Sequence, residues 1–190
     1  SQVNKKLYDE GFQTVVFDNL CRGDQSAVIT GDFVRGDTAN PEDLNKVFNS
    51  YKIDAVMHFA AHIAVGESVL DPLKYYRNNV SNTLNLLDAM IRHDVRVFIF
   101  SSTAAIFGLP QEVPIGEGHP CVPINPYGQS KLMVEKILRD FDRAYDLKFC
   151  SLRYFNAAGG DPDGKVKLPA RKENNLIPVA LRSLLAEDGS

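Results

Sequence analysis

Four short runs of apolar residues, rich in Val, Ile and Phe, recur along this 190-residue chain and constrain its fold more than any other feature. Each run is too short for a typical helix and too continuous for a strand with one face in water. This pattern is typical of strands that are buried on both faces of a parallel sheet. The predicted strands are Thr14–Phe17, Ala55–Phe59, Val95–Phe100 and Phe149–Phe155.

Segments with helical periodicity lie between these strands, and each begins at a proline. Apolar residues recur in them at intervals of three and four, which places those residues on one face of a helix. Strands that alternate with helices favour an α/β fold with a doubly wound parallel sheet and helices on both faces, as in a Rossmann-like domain. The predicted helices are Pro41–Tyr51, Pro72–His93 and Pro126–Tyr145.

The first residues of the chain have the pattern of the last turns of an amphipathic helix, with Val3 and Leu7 on one face. In a Rossmann-like fold, a strand and a glycine-rich turn precede such a helix. No GxGxxG sequence occurs in the 190 residues, so we expect the chain to lack the first strand and this turn. We expect residues 1–155 to form an incomplete Rossmann-like, dinucleotide-binding domain and residues 156–190 to begin a smaller second region that is truncated.

Composition argues against several classes of partner. The chain has 21 Lys and Arg and 24 Asp and Glu, a net charge of −3, and no block of like charge. This balance predicts no nucleic-acid partner, and no apolar run reaches the roughly 20 residues that a membrane span needs. The three cysteines are far apart and odd in number, and the four histidines show no zinc-ligand spacing, so we expect neither a disulfide framework nor a metal site. These features together favour a cytoplasmic protein.

Asp18 ends the first predicted strand, where a carboxylate is costly unless it has a partner. In a dinucleotide-binding fold, an acidic residue at the end of the second strand accepts hydrogen bonds from the adenosine ribose and repels the extra phosphate of NADP. The alternative is that Asp18 simply opens the loop that continues with Asn19, a turn-forming residue.

Tyr127 and Lys131 are four residues apart at the start of a predicted helix, so their side chains share a face. A phenol has a pKa of about 10, and lowering it by three units takes roughly 4 kcal/mol. A nearby ammonium group and a cationic nicotinamide can each supply part of that energy. Thr103 follows Ser101 and Ser102 at the end of the preceding strand, at the sheet edge where α/β proteins bind ligands. The alternative is that these hydroxyl groups only cap a loop.

Two further strand and helix positions carry polar residues. His58 ends a strand just before Phe59, Ala60 and Ala61, and we interpret it as a hydrogen-bonded core imidazole. The adjacent Asn78 and Asn79 have poor helix propensity, which hints at a tertiary or ligand contact.

These residues lie in motifs that resemble those of the UDP-glucose 4-epimerases, members of the extended short-chain dehydrogenase/reductase family. The resemblance covers nearly the whole chain in order and spacing. The matching motifs are FDNL at 17–20, GD at 36–37, HFAA at 58–61, AVGES at 64–68, YYRNNV at 75–80, FSSTA at 100–104, NPYGQSK at 125–131, LRYFNAA at 152–158 and NNLIP at 174–178.

The resemblance implies NAD as cofactor, a UDP-sugar as substrate and a homodimer with contacts through helices 72–93 and 126–145. The implied catalytic residues are Tyr127, Lys131 and Thr103. The implied NAD contacts are Asp18, Asn19, Asp37, Thr38, Phe59, Ala60, Ala61, Asn78, Tyr127, Lys131 and Phe155. The implied UDP-sugar contacts are Thr103, Tyr127, Asn156, Asn175 and Leu176.

The resemblance also implies a reaction that interconverts UDP-glucose and UDP-galactose. Tyr127 takes the C4 hydroxyl proton while C4 gives a hydride to NAD⁺, the 4-keto sugar turns in the pocket, and the hydride returns to its other face. Thr103 stands where many members have Ser, which keeps the hydroxyl. Ile63 stands where some members have Lys, so a cationic phosphate contact is not expected there.

Three alternatives stay open at this stage. A 4,6-dehydratase or decarboxylase is disfavoured, because dehydratases place an Asp-Glu pair where Ala104 and Ala105 follow Thr103. The sequence argues less strongly against the second alternative, an epimerase or another family enzyme that acts on a different nucleotide sugar, such as an N-acetylated or pentose UDP-sugar. A catalytically inactive Rossmann-like module is the third, and we expect the 190 residues by themselves to bind NAD poorly because the glycine turn is absent.

Overall fold

The computed structural model describes residues 1–166 and 176–187, and it is an α/β structure as predicted. Five strands and seven α-helices are described in these two ranges. The strands are β1 Val15–Asp18, β2 Asp32–Arg35, β3 Val56–His58, β4 Val97–Thr103 and β5 Lys148–Tyr154. The helices are α1 Gln2–Asp9, α2 Pro41–Ser50, α3 Val65–Leu70, α4 Pro72–Tyr76, α5 Asn82–Arg92, α6 Pro126–Tyr145 and α7 Leu176–Glu187.

The strands form two parallel sheets, one of β1 and β2 and one in the order β3-β4-β5. This matches the doubly wound order 3-2-1-4-5-6, with β2 and β1 as strands 3 and 2 and the larger sheet as strands 4, 5 and 6. No residue within 1–166 or 176–187 takes the position of strand 1. The Rossmann-like parallel sheet predicted from the sequence is therefore confirmed.

The strand bounds differ from those predicted in ways that affect the site. β4 begins two residues late because the Val95 N–H bonds the Met90 carbonyl at 2.9 Å and closes the preceding helix. It ends three residues later than predicted because it pairs with β5 as far as Thr103. Ser101, Ser102 and Thr103 are therefore part of the strand. β2 was not predicted, since it contains only Phe33 and Val34 as apolar residues. The prediction that the strands are buried on both faces is wrong for β1, because all four of its residues are only half-buried.

The long helix predicted from Pro72 to His93 is interrupted. A π-helical segment, Arg77–Ser81, lies between α4 and α5, and it contains both Asn78 and Asn79. A π turn adds one residue to a helical turn and is frequent at functional sites. The poor helix propensity of the asparagine pair therefore marks a real departure from α-helical geometry.

Asx-Pro sequences start three of the helices. The side chains of Asn40, Asp71 and Asn125 accept hydrogen bonds from backbone N–H groups in the first turns of α2, α4 and α6. The following proline has no N–H to satisfy and has the φ angle of a helix. In α6 this cap sets the position of Tyr127, two residues after Asn125.

A single hydrophobic core connects the two sheets. Leu44, Phe48, Leu87, Phe98 and Leu138 are among its buried residues, and Val15 and Phe17 of β1 pack against the same cluster. This shared core fixes the carboxyl ends of both sheets on the same side of the molecule. Within residues 1–166 and 176–187, none of the helices combines the length and the apolar content that crossing a bilayer requires.

Candidate functional site

A pocket lies at the carboxyl ends of β1 and β3, the place where doubly wound sheets bind ligands. Seven of the residues predicted to bind a cofactor line it: Asp18, Asn19, Thr38, Phe59, Ala60, Ala61 and Asn78. Asp37 lies just behind, where its Oδ2 accepts a hydrogen bond of 2.8 Å from Asn19 Nδ2. The structure thus brings residues from four separate segments of the chain to one place.

The Asp18 carboxylate is held by the loop that follows it. Its Oδ1 accepts a 2.7 Å hydrogen bond from the Leu20 N–H, and Leu20 has a positive φ of 62°. A Cβ at Gly23 would lie 2.9 Å from the same Oδ1 atom. The loop therefore turns tightly around the carboxylate, and the absence of a side chain at position 23 keeps room beside it for a ligand hydroxyl.

Sequence reasoning missed several residues that line this pocket, including Cys21, Arg22 and His62. Arg22 Nη2 lies 3.8 Å from Glu67 Oε2, so the loop after β1 reaches the helix after β3 across one side of the pocket. A basic residue four positions after the acidic strand end is the sequence signal that was available.

Asn79, which the sequence did not separate from Asn78, is the buried centre of the π segment. Its Oδ1 accepts from the His62 N–H at 2.9 Å and from Asn78 Nδ2 at 3.0 Å. Its Nδ2 donates to the His62 carbonyl at 2.9 Å and to Ser130 Oγ at 3.1 Å. Ser130 in turn donates to the Tyr127 carbonyl at 2.7 Å. A chain of hydrogen bonds thus connects the pocket wall to the helix that carries Tyr127.

Thr103, Tyr127 and Lys131 form a second cluster, and none of the three is among the described residues that line the pocket. The Thr103 hydroxyl lies near enough to the Tyr127 phenol to lower its pKa, and it accepts from the Ala105 N–H at 3.1 Å. Lys131 Nζ donates to the Ser101 carbonyl at 2.8 Å and lies 4.8 Å from the centre of the Phe100 ring. The predicted pairing of strand-end hydroxyl, phenol and ammonium on one side of α6 is present.

Burial dominates the electrostatics of the cluster. It raises the pKa of Tyr127 above its usual value, and the nearby Thr103 hydroxyl opposes this rise without cancelling it. Burial also lowers the pKa of Lys131 to about 8. Desolvation of the phenolate thus outweighs the effect of Thr103. The expected role of Lys131 in making the phenol acidic stays a prediction.

His58 has the core role predicted for it. Its Nε2 lies 3.0 Å from Thr83 Oγ1, and the Thr83 hydroxyl donates to the Asn79 carbonyl at 2.8 Å. Since that hydroxyl proton is already used, His58 Nε2 is the donor in the first contact. Burial, with a smaller contribution from the Lys131 charge, lowers the pKa of His58 to about 3, so the imidazole is neutral.

Two of the predicted UDP-sugar contacts, Thr103 and Tyr127, belong to the second cluster, whereas Asn156 and Leu176 are exposed, Leu176 by 81%. Phe155, predicted as an NAD contact, is 61% exposed. Asn175 lies outside the described residues. Among the residues that are described, no three His, Cys, Asp or Glu side chains are grouped in a way that could hold a metal ion.

Comparison with known proteins gives consistent matches. Residues 1–188 match the NAD dependent epimerase/dehydratase family. The chain is 44% identical to a UDP-glucose 4-epimerase of Halalkalibacterium halodurans, over 95% of this chain and 54% of that protein. It also resembles the crystal structure of UDP-glucose 4-epimerase from Brucella ovis in complex with NAD, with a TM-score of 0.92 and 48% identity over 95% of this chain and 55% of that one.

A third similar protein is the UDP-glucose 4-epimerase from Bifidobacterium longum in complex with NAD⁺ and UDP. Its TM-score is 0.84 and its identity 37%, over 87% of this chain and 52% of that one. The chain therefore spans about half the length of the relatives that it matches. Since the family match extends over almost all 190 residues, and the Rossmann-like fold and the Thr103, Tyr127 and Lys131 cluster agree with it, the chain belongs to the NAD dependent epimerase/dehydratase family.

Proposed function

We propose that this chain is the NAD-binding part of a UDP-glucose 4-epimerase, which interconverts UDP-glucose and UDP-galactose. The observation that carries the proposal is the coexistence of two clusters at one sheet edge. One is a pocket built around Asp18, and the other is the Thr103, Tyr127 and Lys131 cluster. The relatives named above, which are UDP-glucose 4-epimerases, support the choice of reaction.

The residues of the pocket fit an adenosine ribose. Asp18 presents a carboxylate fixed by the Leu20 N–H, and Gly23, Ala60 and Ala61 leave space beside it. A carboxylate accepts hydrogen bonds from the two ribose hydroxyl groups and repels a 2′-phosphate, so these residues favour NAD over NADP. Asn78, from the π segment, supplies an amide at the opposite wall.

The reactive cluster fits proton transfer at a sugar hydroxyl. NAD, when bound, supplies the hydride acceptor. Tyr127 takes the proton of the C4 hydroxyl, and Thr103 holds the phenol oxygen in place through its own hydroxyl. The Lys131 ammonium, already bonded to the Ser101 carbonyl, binds the nicotinamide ribose. Burial raises the pKa of Tyr127, so the phenol would act as a base at neutral pH only with a positive charge beside it, such as a bound NAD⁺ would supply.

The test is to express the complete reading frame that contains this chain and to incubate the purified protein with UDP-galactose. We expect UDP-glucose to form without net change in NAD⁺, and NAD to be released when the protein is denatured. UDP-N-acetylglucosamine and a pentose UDP-sugar, assayed in parallel, measure substrate range. Turnover of one of these sugars but not of UDP-galactose would reassign the substrate, and bound NAD without any turnover would support the inactive module instead.

Three further features of the complete protein belong to the same proposal. Residues 156–190 begin the substrate-binding region, with Asn156, Asn175 and Leu176 as contacts to the UDP-sugar. The protein is a homodimer that forms contacts through residues 72–93 and 126–145, a surface on which Leu84 and Met133 are exposed. Its location is cytoplasmic, which the three free cysteines support. Sedimentation of the complete protein tests the dimer.

A further inference from the structure

Three consecutive residues at the end of β4 face three residues of α6 that are spaced four apart. The Ser101 carbonyl accepts from Lys131, the Ser102 hydroxyl donates to Glu135, and the Thr103 hydroxyl lies near the Tyr127 phenol. Positions four apart lie along one face of a helix, so Tyr127, Lys131 and Glu135 form a continuous row. Two members of this row belong to the reactive cluster, and Glu135 is not assigned a role by the proposed reaction.

Glu135 is 1% exposed and is fixed at both carboxylate oxygens. Its Oε1 accepts from Ser102 Oγ at 2.6 Å and from Arg153 Nε at 3.1 Å, and its Oε2 accepts from Arg153 Nη2 at 2.8 Å. Such a two-point guanidinium–carboxylate contact has a defined geometry as well as a favourable energy. The other ion pairs of α6 differ: Arg143 and Asp140, for example, are both largely exposed.

Arg153 extends this contact to the remaining parts of the site. It lies on β5, two residues before Phe155, and its guanidinium is 5.3 Å from the centre of the Phe107 ring. Phe107 ends the short 3₁₀ turn, Ala104–Phe107, that follows Thr103. A single buried carboxylate therefore joins the strand that carries Thr103, the helix that carries Tyr127 and Lys131, and the strand that leads to Phe155.

We propose that Glu135, clamped by Ser102 and Arg153, is a positioning residue that sets the depth and rotation of α6 against β4 and β5, and thereby aligns Tyr127 and Lys131 with Thr103. The expected effect on turnover rests on the proposed function. The dependence of the Tyr127–Thr103 contact on Glu135 does not rest on the proposed function. A buried ion pair contributes little net stability compared with apolar residues, so its value here is the fixed geometry.

The test uses the complete protein and compares three variants with wild type. Glu135→Gln removes the charge and leaves Arg153 facing a neutral partner. The double variant Glu135→Gln/Arg153→Gln removes both charges, so no unpaired buried charge remains and folding is expected to recover. Asp140→Asn, at the exposed pair on the same helix, is the matched control.

We expect the double variant to keep its bound NAD and its KM for the UDP-sugar, and to lose roughly 10- to 100-fold in kcat, as a small misplacement of a reacting group does. Substitution of Asp140 should leave kcat unchanged. A double variant with wild-type kcat would overturn the proposal, because the pair would then contribute to folding alone.

A second readout does not depend on the substrate. With ¹³C-labelled tyrosine, the titration of Tyr127 is followed by NMR, using Tyr127→Phe to assign its signal. Loss of alignment weakens the Thr103 hydrogen bond, which lowers the pKa of the phenol, so the titration midpoint should rise in the double variant and not in Asp140→Asn. An unchanged midpoint would contradict the positioning role. If wild type fails to convert any UDP-sugar, the proposed function fails while this titration still decides the role of Glu135.

Discussion

The ammonium group of Lys131 is buried with few polar partners, since it donates to the Ser101 carbonyl and otherwise lies over the Phe100 ring. Burial lowers its pKa to about 8, so at pH 7 the group is still mostly protonated in an environment that disfavours its charge. In the unfolded chain a lysine has a pKa of about 10.4. Between these two pH values the unfolded state binds more protons than the folded state, and stability therefore rises as the pH rises.

This difference predicts that Lys131→Met stabilises the protein at neutral pH. The pKa difference corresponds to roughly 3 kcal/mol, reduced by about 1 kcal/mol for the lost hydrogen bond to Ser101. The gain of Lys131→Met in the free energy of unfolding over wild type should be largest below pH 8 and should shrink as the pH rises towards 10.4. Urea unfolding of the NAD-free protein at several pH values measures it, with the exposed Lys136→Met as control. A destabilised variant at pH 7 would show that the charge is better accommodated than its burial indicates.

The residues of the site that could be predicted from sequence are those whose chemistry depends on local spacing. The sequence shows that Asp18 ends a strand and that Tyr127 and Lys131 are one helical turn apart. Both relations involve residues that are only a few positions from one another. Glu135 could not be found in this way, and neither could the contact of Arg22 with Glu67. The partners Arg153 and Glu67 belong to different elements, so only the packed structure brings the charges together.

Helix α6 approaches the turn after β4 so closely that it has no room for a side chain at Gly128. A Cβ there would lie 2.5 Å from the Ala105 carbonyl oxygen and 3.0 Å from its carbonyl carbon. Backbone atoms cannot rotate away, so Gly128→Ala must push the first turn of α6, with Tyr127, away from the turn that carries Thr103. We expect roughly 1–3 kcal/mol of destabilisation and a fall of roughly 10-fold or more in turnover.

Gly66→Ala is the matched control for this substitution. Gly66 also lies in a helix, α3, and a Cβ there meets nothing within 4 Å. Alanine has a higher helix propensity than glycine, so this control should be neutral or stabilising by up to about 1 kcal/mol. Equal effects of the two substitutions on turnover, measured with the same assay, would mean that the close approach at Gly128 does not set the position of Tyr127.

The π segment between α4 and α5 leads to a separate prediction. Asn79→Ala leaves the partly buried N–H and C=O groups of His62 without their side-chain partner, and each group should cost at most the roughly 1–3 kcal/mol of a fully buried unsatisfied group. His62 lines the pocket, so the affinity for NAD should fall as well. Calorimetric titration of NAD into the cofactor-free protein measures the loss, with the exposed Asn49→Ala as control. Unchanged affinity would show that the segment serves packing alone.

The strands and helices were largely predictable because their periodicity is local and strong. Pro126–Tyr145 agrees with the predicted helix, and four further predicted strands and helices differ by no more than one residue at either end. The interruption of the helix after Pro72 could not be predicted, since a π turn is stabilised by long-range contacts such as that between Asn79 and Ser130. The two apolar residues of β2 were likewise too few to indicate a strand until β1 was there to pair with it.

At the scale of the whole molecule, the core joins two sheets and brings their carboxyl ends to one side. The pocket around Asp18 occupies the end of β1, and the cluster around Tyr127 occupies the end of β4. The hydrogen bonds from Asn78 through Asn79 and Ser130 connect the two sites. In the proposed function, the pocket around Asp18 binds the adenosine end of NAD and the cluster around Tyr127 contacts its nicotinamide end.

The proposed role of Tyr127 in proton transfer is tested most directly by the turnover of Tyr127→Phe in the complete protein, together with the amount of NAD that this variant binds. The substitution removes the hydroxyl that we propose takes the C4 proton, and it lies outside the pocket around Asp18. We predict a loss of roughly 100-fold or more in the conversion of UDP-galactose to UDP-glucose, with NAD retained. Near-normal turnover by this variant would contradict the account, because the proton would then be taken by a group other than the phenol of Tyr127.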